Sequence, residues 1–341
     1  MKIIDVQQLS KDFKVYEQQP GFVNAVKSFF HREVRLVHAV QDLTFSIEPG
    51  EVVGFIGENG AGKSTTIKIM SGILYPTAGA VYVNGRKPYE NRKKNALEIG
   101  VIFGQRTRLL WDLPILDSFE LYKEIYRIDP ALYRRNVDLF TEMLDMGEYL
   151  KTPVRQLSLG QRMKGDIALA MLHSPPLMYF DEPTIGLDVL AKSNIRKFIV
   201  ESNRLHGTTT ILTSHDMKDL DQVCSRIIMI SKGSLLHDGP IESFKARFGG
   251  EVQLTVTFAA EDVQVRHDRL RVASVKGAVQ TIVFDKNQIP LQEAMAYITG
   301  TYPVEDIAVT ESDIESIVRG IYQQNQEQAK QANGGNRVNG G

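Results

Sequence analysis

The 341-residue chain carries 40 Lys+Arg against 41 Asp+Glu, a formal net charge of −1. That balance excludes a globally basic nucleic-acid binder, and a single cysteine, Cys224, excludes an internal disulfide framework and a cysteine-rich zinc site. With 43% hydrophobic residues the chain is able to bury a sizeable core, and its length predicts about two domains. No run approaches the roughly 18 consecutive apolar residues of a bilayer span. Asp5 comes too early for a secretory leader. The expectation is a soluble, cytoplasmic polypeptide whose membrane role, if it has one, comes through a partner.

In chain order, residues 17–36 form an excursion opened by Pro20-Gly21. Phe22, Val26, Phe29 and Phe30 recur there at helical spacing beside Lys27, His31 and Arg32. The segment reads either as a cationic helix against a membrane surface or partner, or as a helix capping a sheet. Glu51–Gly57 reads as a buried strand and Ser64–Ser71 as the helix after it. Gly100–Phe103 is a second strand. Residues 106–155 form a mostly helical insertion marked by Leu116, Phe119, Leu121, Ile125, Val137, Phe140 and Leu144. Strands at Leu177–Phe180, Thr209–Thr213 and Ile227–Ile230 complete a pattern of buried strands alternating with helices, which predicts a mainly parallel α/β sheet over residues 1–240. Gly249-Gly250 reads as a hinge. Beyond it Val252, Leu254, Val256 and Phe258 alternate with polar residues as a half-buried strand does. Further strands at Leu270–Val272 and Val279–Phe284, with helices at Leu291–Tyr297 and Asp313–Tyr322, predict a small α+β domain over 250–322. The Gln-, Asn- and Gly-rich tail, 323–341, has almost nothing to bury and is expected to be disordered.

Gly57-Glu58-Asn59-Gly60-Ala61-Gly62-Lys63-Ser64 matches G-x-x-x-x-G-K-[ST] in full, between a strand and a helix. Glycines let successive backbone N–H groups approach phosphate oxygens, and the helix N-terminus adds partial positive charge. Lys63 brings a point charge to the phosphates and the Ser64 hydroxyl a ligand for Mg²⁺. Asp181-Glu182 follows the apolar run Leu177–Phe180, at the strand edge where open α/β sheets bind ligands. Asp181 is suited to hold Mg²⁺, usually through water, and Glu182 to polarise a water attacking the γ-phosphate.

A phosphate loop alone leaves many nucleotidases open. Leu157-Ser158-Leu159-Gly160-Gln161, lying between that loop and Asp181, resembles the signature of the ATP-binding cassette (ABC) family, which usually reads Leu-Ser-Gly-Gly-Gln. Other family elements follow in order. Gln105 is placed like the family's Q-loop glutamine, Gly186-Leu187-Asp188 like its D-loop, and His215 like its switch histidine. Phe13 is placed like the aromatic that stacks on adenine, although Phe13 also reads as core and Tyr16 competes for the stacking role. The resemblance covers residues 1–240 and implies a P-loop NTPase fold of ABC ATPase type, with a mainly parallel sheet and a helical subdomain insertion. It implies a nucleotide site of Phe13, Gly57, Glu58, Asn59, Gly60, Ala61, Gly62, Lys63, Ser64 and Thr65 for ATP. Ser158, Gly160 and Gln161 would face the nucleotide of an opposite copy. Catalytic roles fall to Glu182, His215, Lys63 and Gln105, and Mg²⁺ ligation to Ser64, Gln105 and Asp181. Leu159 departs from the family's glycine and adds bulk beside that signature contact.

The resemblance also implies partners: a second copy of the chain, or a related ATPase subunit, and a separate polytopic membrane permease that holds the protein on the inner face of the cell membrane. Permease contacts in the family fall just after Gln105, where Arg106-Thr-Arg108-Leu-Leu-Trp111-Asp-Leu-Pro114 mixes charge with apolar residues; Trp111 reads equally as subdomain core. The stretches Phe103–Thr107, Leu157–Met163 and Asp181–Asp188 look most like ATPase subunits of ABC-2-type exporters, close to those of drug, viologen or sodium efflux. The alternative is a soluble ABC ATPase acting on ribosomes or DNA. Against it stand a single cassette, the absence of room for a coiled coil between Gly57 and Leu157, and the lack of basic excess; no nucleic-acid partner is expected. A non-hydrolysing regulatory cassette is disfavoured by the intact Lys63, Glu182 and His215.

Overall fold

The computed structural model describes residues 2–16, 34–104, 106–214, 216–311, 314–315, 317–318 and 320–322. The chain divides into two compact units, Met1–Gly239 and Pro240–Gly341.

The first unit opens with β1 (Ile4–Tyr16) and β2 (Val34–Ile47), paired antiparallel. Then come β3 (Val52–Ile56), α1 (Lys63–Met70), β4 (Ala78–Val83), α2 (Arg92–Glu98) and β5 (Ile99–Phe103). Next are α3 (Ile115–Tyr126), α4 (Pro130–Met143), a 3-10 turn at Val154–Gln156, and α5 (Leu159–Met171). The unit closes with β6 (Leu177–Asp181), α6 (Val189–His206), β7 (Thr209–Thr213), α7 (Met217–Val223), β8 (Arg226–Ser231) and β9 (Ser234–Pro240). A six-stranded sheet has the order β5-β6-β7-β3-β8-β9, with the pairs from β5 through β8 parallel. All five residues of β3, β6 and β7 are buried, as expected of parallel strands covered on both faces. The strand order jumps from β7 to β3, so the C-terminal ends of β3 and β6 open onto one edge of the sheet, where the loop into α1 and the Asp181-Glu182 pair sit.

A second, antiparallel sheet of order β2-β1-β4 was not foreseen from the sequence. The reason is local. The apolar residues Ile4, Val6 and Leu9 break alternation where β1 bulges between Val6 and Leu9, with Gln8 at φ 47. Residues 34–36, expected inside the 17–36 excursion, belong to β2; residues 17–33 lie outside the described residues. The helical stretch expected at 106–155 holds α3, α4 and the 3-10 turn.

The second unit begins at Pro240, ahead of the expected hinge, with α8 (Ile241–Phe248), followed by β10 (Glu251–Phe258), β11 (Arg271–Lys276), β12 (Val279–Asp285), α9 (Leu291–Thr301) and β13 (Val304–Glu311). Its sheet has the order β11-β12-β10-β13, and its ladders are antiparallel. Val252, Leu254, Val256 and Phe258 all face one core with Ile282, Phe284, Ala294 and Ile298. Gly249 and Gly250 answer to close approach: a Cβ on Gly249 would lie 2.4 Å from the Lys245 carbonyl oxygen, and one on Gly250 2.5 Å from Asp285 Oδ1. The described residues of the expected 313–322 helix are helical, with Ile314, Ile317, Val318 and Ile321 buried. Residues 323–341 lie outside the described residues.

Candidate functional site

The loop from β3 to α1 wraps on its own backbone. Gly60 (φ 83) and Gly62 (φ 104) take left-handed conformations that side chains resist. A Cβ on Gly62 would also stand 2.4 Å from the Ala39 carbonyl oxygen of β2. Gly57 is closed in differently: a Cβ there would lie 2.4 Å from the Ile230 carbonyl oxygen of β8. Gly62 is the N-cap of α1 and no side chain caps it, so the first N–H groups of that helix point into the loop without a side-chain acceptor.

Lys63 lies across this loop. Its Nζ donates to the carbonyl oxygens of Gly57 at 2.5 Å and Glu58 at 3.1 Å. Burial pushes the Lys63 ammonium below its usual range, opposed by the nearby Glu182, Asp181 and Glu58 carboxylates. A buried ammonium held by neutral carbonyl oxygens is matched to phosphate oxygens, which offer it a stronger, charge-assisted bond.

Asp181 ends β6 and is 8% exposed; its Oδ1 accepts a hydrogen bond from Thr213 Oγ1 at 2.8 Å. At Glu182 the chain turns left-handed, φ 58, and its N–H donates to Thr213 Oγ1 at 3.0 Å. Two adjoining cavities share Ser64. One, of about 330 Å³, is lined by Phe13, Ala39, Glu58, Asn59, Gly60, Gly62, Lys63, Ser64, Thr65 and Glu182. The other, of about 600 Å³, is lined by Asp181 with Lys68, Ile73, Val101, Phe103, Arg106, Thr107 and Arg108. The structure thus gathers Phe13, most of the phosphate loop and Glu182 around one cleft. Phe13 is half-buried on β1, opposite Val37 and 5.2 Å from the Lys11 ammonium, so it is a cleft wall and not core. The side chain of Tyr16, and Gln105 and His215 entirely, lie outside the described residues.

Ser158, Gly160 and Gln161 are together at the start of α5 and are not among the residues that line the cleft with Lys63. Ser158 and Gln161 form a capping box: Gln161 N–H donates to Ser158 Oγ at 3.2 Å and Ser158 N–H to Gln161 Oε1 at 2.9 Å. Gly160 packs on α6, where a Cβ would stand 3.1 Å from Ala191 Cβ. Leu159 is half-buried. Asp188 caps α6 through Ala191 N–H at 2.8 Å.

Sequence reasoning missed three supports. Thr213 looks like an ordinary β-branched strand residue, and only the strand pairing sets it beside Asp181. Asp219, on α7 and 1% exposed, accepts from Thr184 Oγ1 at 2.6 Å, Arg196 Nη1 at 2.5 Å and Ser214 Oγ at 3.3 Å. It fixes the residue preceding His215 against the segment following Glu182. Asp166 of α5, also buried, accepts the Arg108 N–H at 2.8 Å and so ties the stretch after Gln105 to the helix that begins at Ser158. Burial pushes the Asp166 carboxyl up, opposed by that hydrogen bond and by the Arg108 charge. Trp111, expected either in the core or at a surface, is 49% exposed, with the Arg162 guanidinium 5.2 Å from its ring. Leu113, Leu121 and Ile125 are exposed as well.

Oxygen donors are what Mg²⁺ requires, and Ser64 and Asp181 line one cavity. No group of three or more His, Cys, Asp or Glu among the described residues is placed to hold a metal ion. The pair therefore fits an ion completed by phosphate oxygens and water, not a cage built by the protein alone. No helix of the described residues is long and apolar enough to cross a membrane.

Residues 40–185 match the ABC transporter family. The chain is 32% identical to the ABC transporter ATP-binding protein NatA of Bacillus subtilis (strain 168), over 63% of this chain and 87% of that protein. It is 26% identical to the methionine import ATP-binding protein MetN of Latilactobacillus sakei subsp. sakei (strain 23K), over 86% of this chain and 88% of that protein. Among solved structures, a dimeric bacterial ABC transporter cassette, MJ0796, superposes with a TM-score of 0.57 at 25% identity, covering 70% of this chain and 98% of that one. Neither named relative is described as acting on ribosomes or DNA. With the phosphate loop, the Asp181-Glu182 edge and the Ser158 helix start in place on a parallel P-loop sheet, this chain belongs to the ABC transporter family as an ATP-binding, ATP-hydrolysing subunit.

Proposed function

We propose that two copies of the chain clamp two ATP molecules and drive a separate membrane permease in the direction of export. The observation that carries the nucleotide chemistry is the cleft shared by Phe13, the phosphate loop, Lys63 and Glu182. Phe13 stacks on the base, the Gly57–Lys63 backbone holds the phosphates, and Lys63 exchanges its carbonyl partners for phosphate oxygens. Glu182 accepts a proton from the attacking water. Ser64, Asp181 and Gln105 would hold Mg²⁺, which would supply positive charge to offset that of the phosphates. His215 acts at the γ-phosphate.

Dimerisation is supported by a cleft whose lining lacks Ser158, Gly160 and Gln161 and by the dimeric form of the MJ0796 cassette. The Ser158–Gln161 start of α5 then completes the site of the opposite copy, and ATP favours the closed pair through its higher affinity for it. A permease partner is supported by the exposed Trp111, Leu113, Leu121 and Ile125 near the stretch that follows Gln105. Export is supported by the resemblance of Phe103–Thr107, Leu157–Met163 and Asp181–Asp188 to exporter subunits. The MetN relative, described as serving import, makes direction the point to test.

Glu182→Gln is expected to retain ATP binding, stall turnover and accumulate as a dimer by size-exclusion chromatography with ATP and Mg²⁺. Wild-type turnover, or a protein that stays monomeric when saturated, overturns this reading. Transport into inside-out vesicles containing the chain with its co-purified permease reads export as ATP-dependent accumulation.

A further inference from the structure

We propose that Thr213 is a positioning residue that sets Asp181 and Glu182 through one hydroxyl. The inference rests on the reading of those two carboxylates given above. Thr213 is 0% exposed and stands opposite Asp181 at the last rung of the β6–β7 ladder. A hydroxyl has one hydrogen to give and lone pairs to receive. The hydrogen goes to Asp181 Oδ1 at 2.8 Å, and a lone pair takes the Glu182 N–H at 3.0 Å. Among the described residues, no other hydrogen bond reaches the Asp181 carboxylate. The Glu182 N–H also reaches the Thr213 carbonyl oxygen, at a longer 3.2 Å.

The two bonds do different work. The first fixes the rotation of a carboxylate that shares its cavity with Ser64. The second holds a non-glycine residue at φ 58, a left-handed conformation that is unfavourable for an L side chain unless its surroundings support it. That turn sends Asp181 toward one cavity and Glu182 toward the phosphate-loop cleft. Valine has the shape of threonine and neither bond. In Thr213→Val the Asp181 carboxylate loses the bond that fixes its rotation, and the Glu182 N–H is left to the longer bond with the residue 213 carbonyl oxygen. Placement errors of about 1 Å at a reacting group cost up to ~100-fold in rate.

The experiment compares the full-length chain with Thr213→Val, Thr213→Ser, Asp181→Asn and Glu182→Gln, measuring ATP turnover, and ATP affinity both with Mg²⁺ and with a chelator. Thr213→Val is expected to lower kcat about tenfold or more while KM for ATP stays within about threefold, and Thr213→Ser to recover most of the rate. Thr213→Val also narrows the difference between ATP affinity with Mg²⁺ and without it, a shift that lost packing alone does not produce. Should the valine variant fail to fold, Thr213→Ser against Thr213→Ala isolates the hydroxyl: serine keeps the rate and alanine loses it. Equal rates for hydroxyl-bearing and hydroxyl-free variants, with Asp181→Asn and Glu182→Gln inactive, overturn the role of Thr213 alone. Wild-type turnover in Asp181→Asn or Glu182→Gln overturns instead the reading on which it rests.

Discussion

In the first unit Lys63, Asp166, Asp181 and Asp219 are buried, together with hydroxyls at Thr184, Thr213 and Ser214. In the second, the only fully buried polar side chain among the described residues is Gln280, which donates to the Val263 carbonyl oxygen at 2.5 Å. Backbone strain divides the same way. Every described non-glycine residue with positive φ, Glu182 among them, precedes Pro240. The second unit is built on an apolar sheet-and-helix core around Val252, Leu254, Phe258, Ile282 and Ile298. Charges and strained turns lower stability unless they serve something. Their concentration in one unit separates the part of the chain that carries the nucleotide chemistry from the part built mainly on apolar burial.

The sharpest way to break that contrast is to remove the buried charge. Lys63→Ala is expected to weaken ATP binding about a hundredfold or more, since charge-assisted contacts to phosphate are lost. Its thermal midpoint without nucleotide should hardly fall, because burial already disfavours the ammonium. Calorimetric titration with ATP and a melting curve check both halves. A variant that binds ATP normally would remove Lys63 from the site.

The converse change lies in the second unit. Ile298, fully buried on α9, truncated to alanine should cost about 2–5 kcal/mol of that unit's stability. ATP affinity should stay within about twofold. Denaturant unfolding followed beside nucleotide titration reads the two effects separately. A coupled loss of ATP affinity would mean that the apolar unit reports to the nucleotide site, and the contrast would have to be redrawn.

Backbone strain is tested at Gly62. Alanine there meets both a left-handed φ of 104 and the Ala39 carbonyl oxygen. A destabilisation of about 2 kcal/mol is expected, with ATP binding impaired because the cradle shifts. Gly60 is also left-handed, at φ 83, but an added Cβ would meet no heavy atom within 4 Å, so alanine should be tolerated better there. Equal losses at the two positions would assign the cost to φ alone and not to the approach of β2.

How much of this was legible in the sequence follows the same division. The site-bearing stretches were readable because their chemistry restricts residue type: a phosphate loop needs its glycines, lysine and hydroxyl wherever it occurs. The residues that hold the site were not, because Thr213 and Asp219 act through neighbours supplied by other strands and helices. Elements were lost where a bulge broke the hydrophobic period. In β13 the apolar residues Val304, Ile307 and Val309 fit neither a strand nor a helix spacing, since the register against β10 slips between Thr257 and Phe258. The clean alternation of β10 itself was readable for the same physical reason, an unbroken pleat with one face on the core.

The smallest effect is expected where the sequence departs from its family. Leu159 replaces the signature glycine, yet the α5 start is intact: Ser158 and Gln161 cap it, and Gly160 still fits against Ala191. Leu159 is half-buried, so its side chain neither fills a core nor stands free. Leu159→Gly loses some local packing and places glycine in the first turn of a helix, at about 1 kcal/mol relative to alanine. It also clears space on the face proposed to meet a second copy. ATP turnover within an order of magnitude of wild type, equivalent to about 1.4 kcal/mol of barrier, is the expected result. A fall of several orders in steady-state ATPase assays, with the melting temperature preserved, would mean that the leucine itself contacts the opposite copy, and that the boundary between chemical and merely packed residues runs through α5.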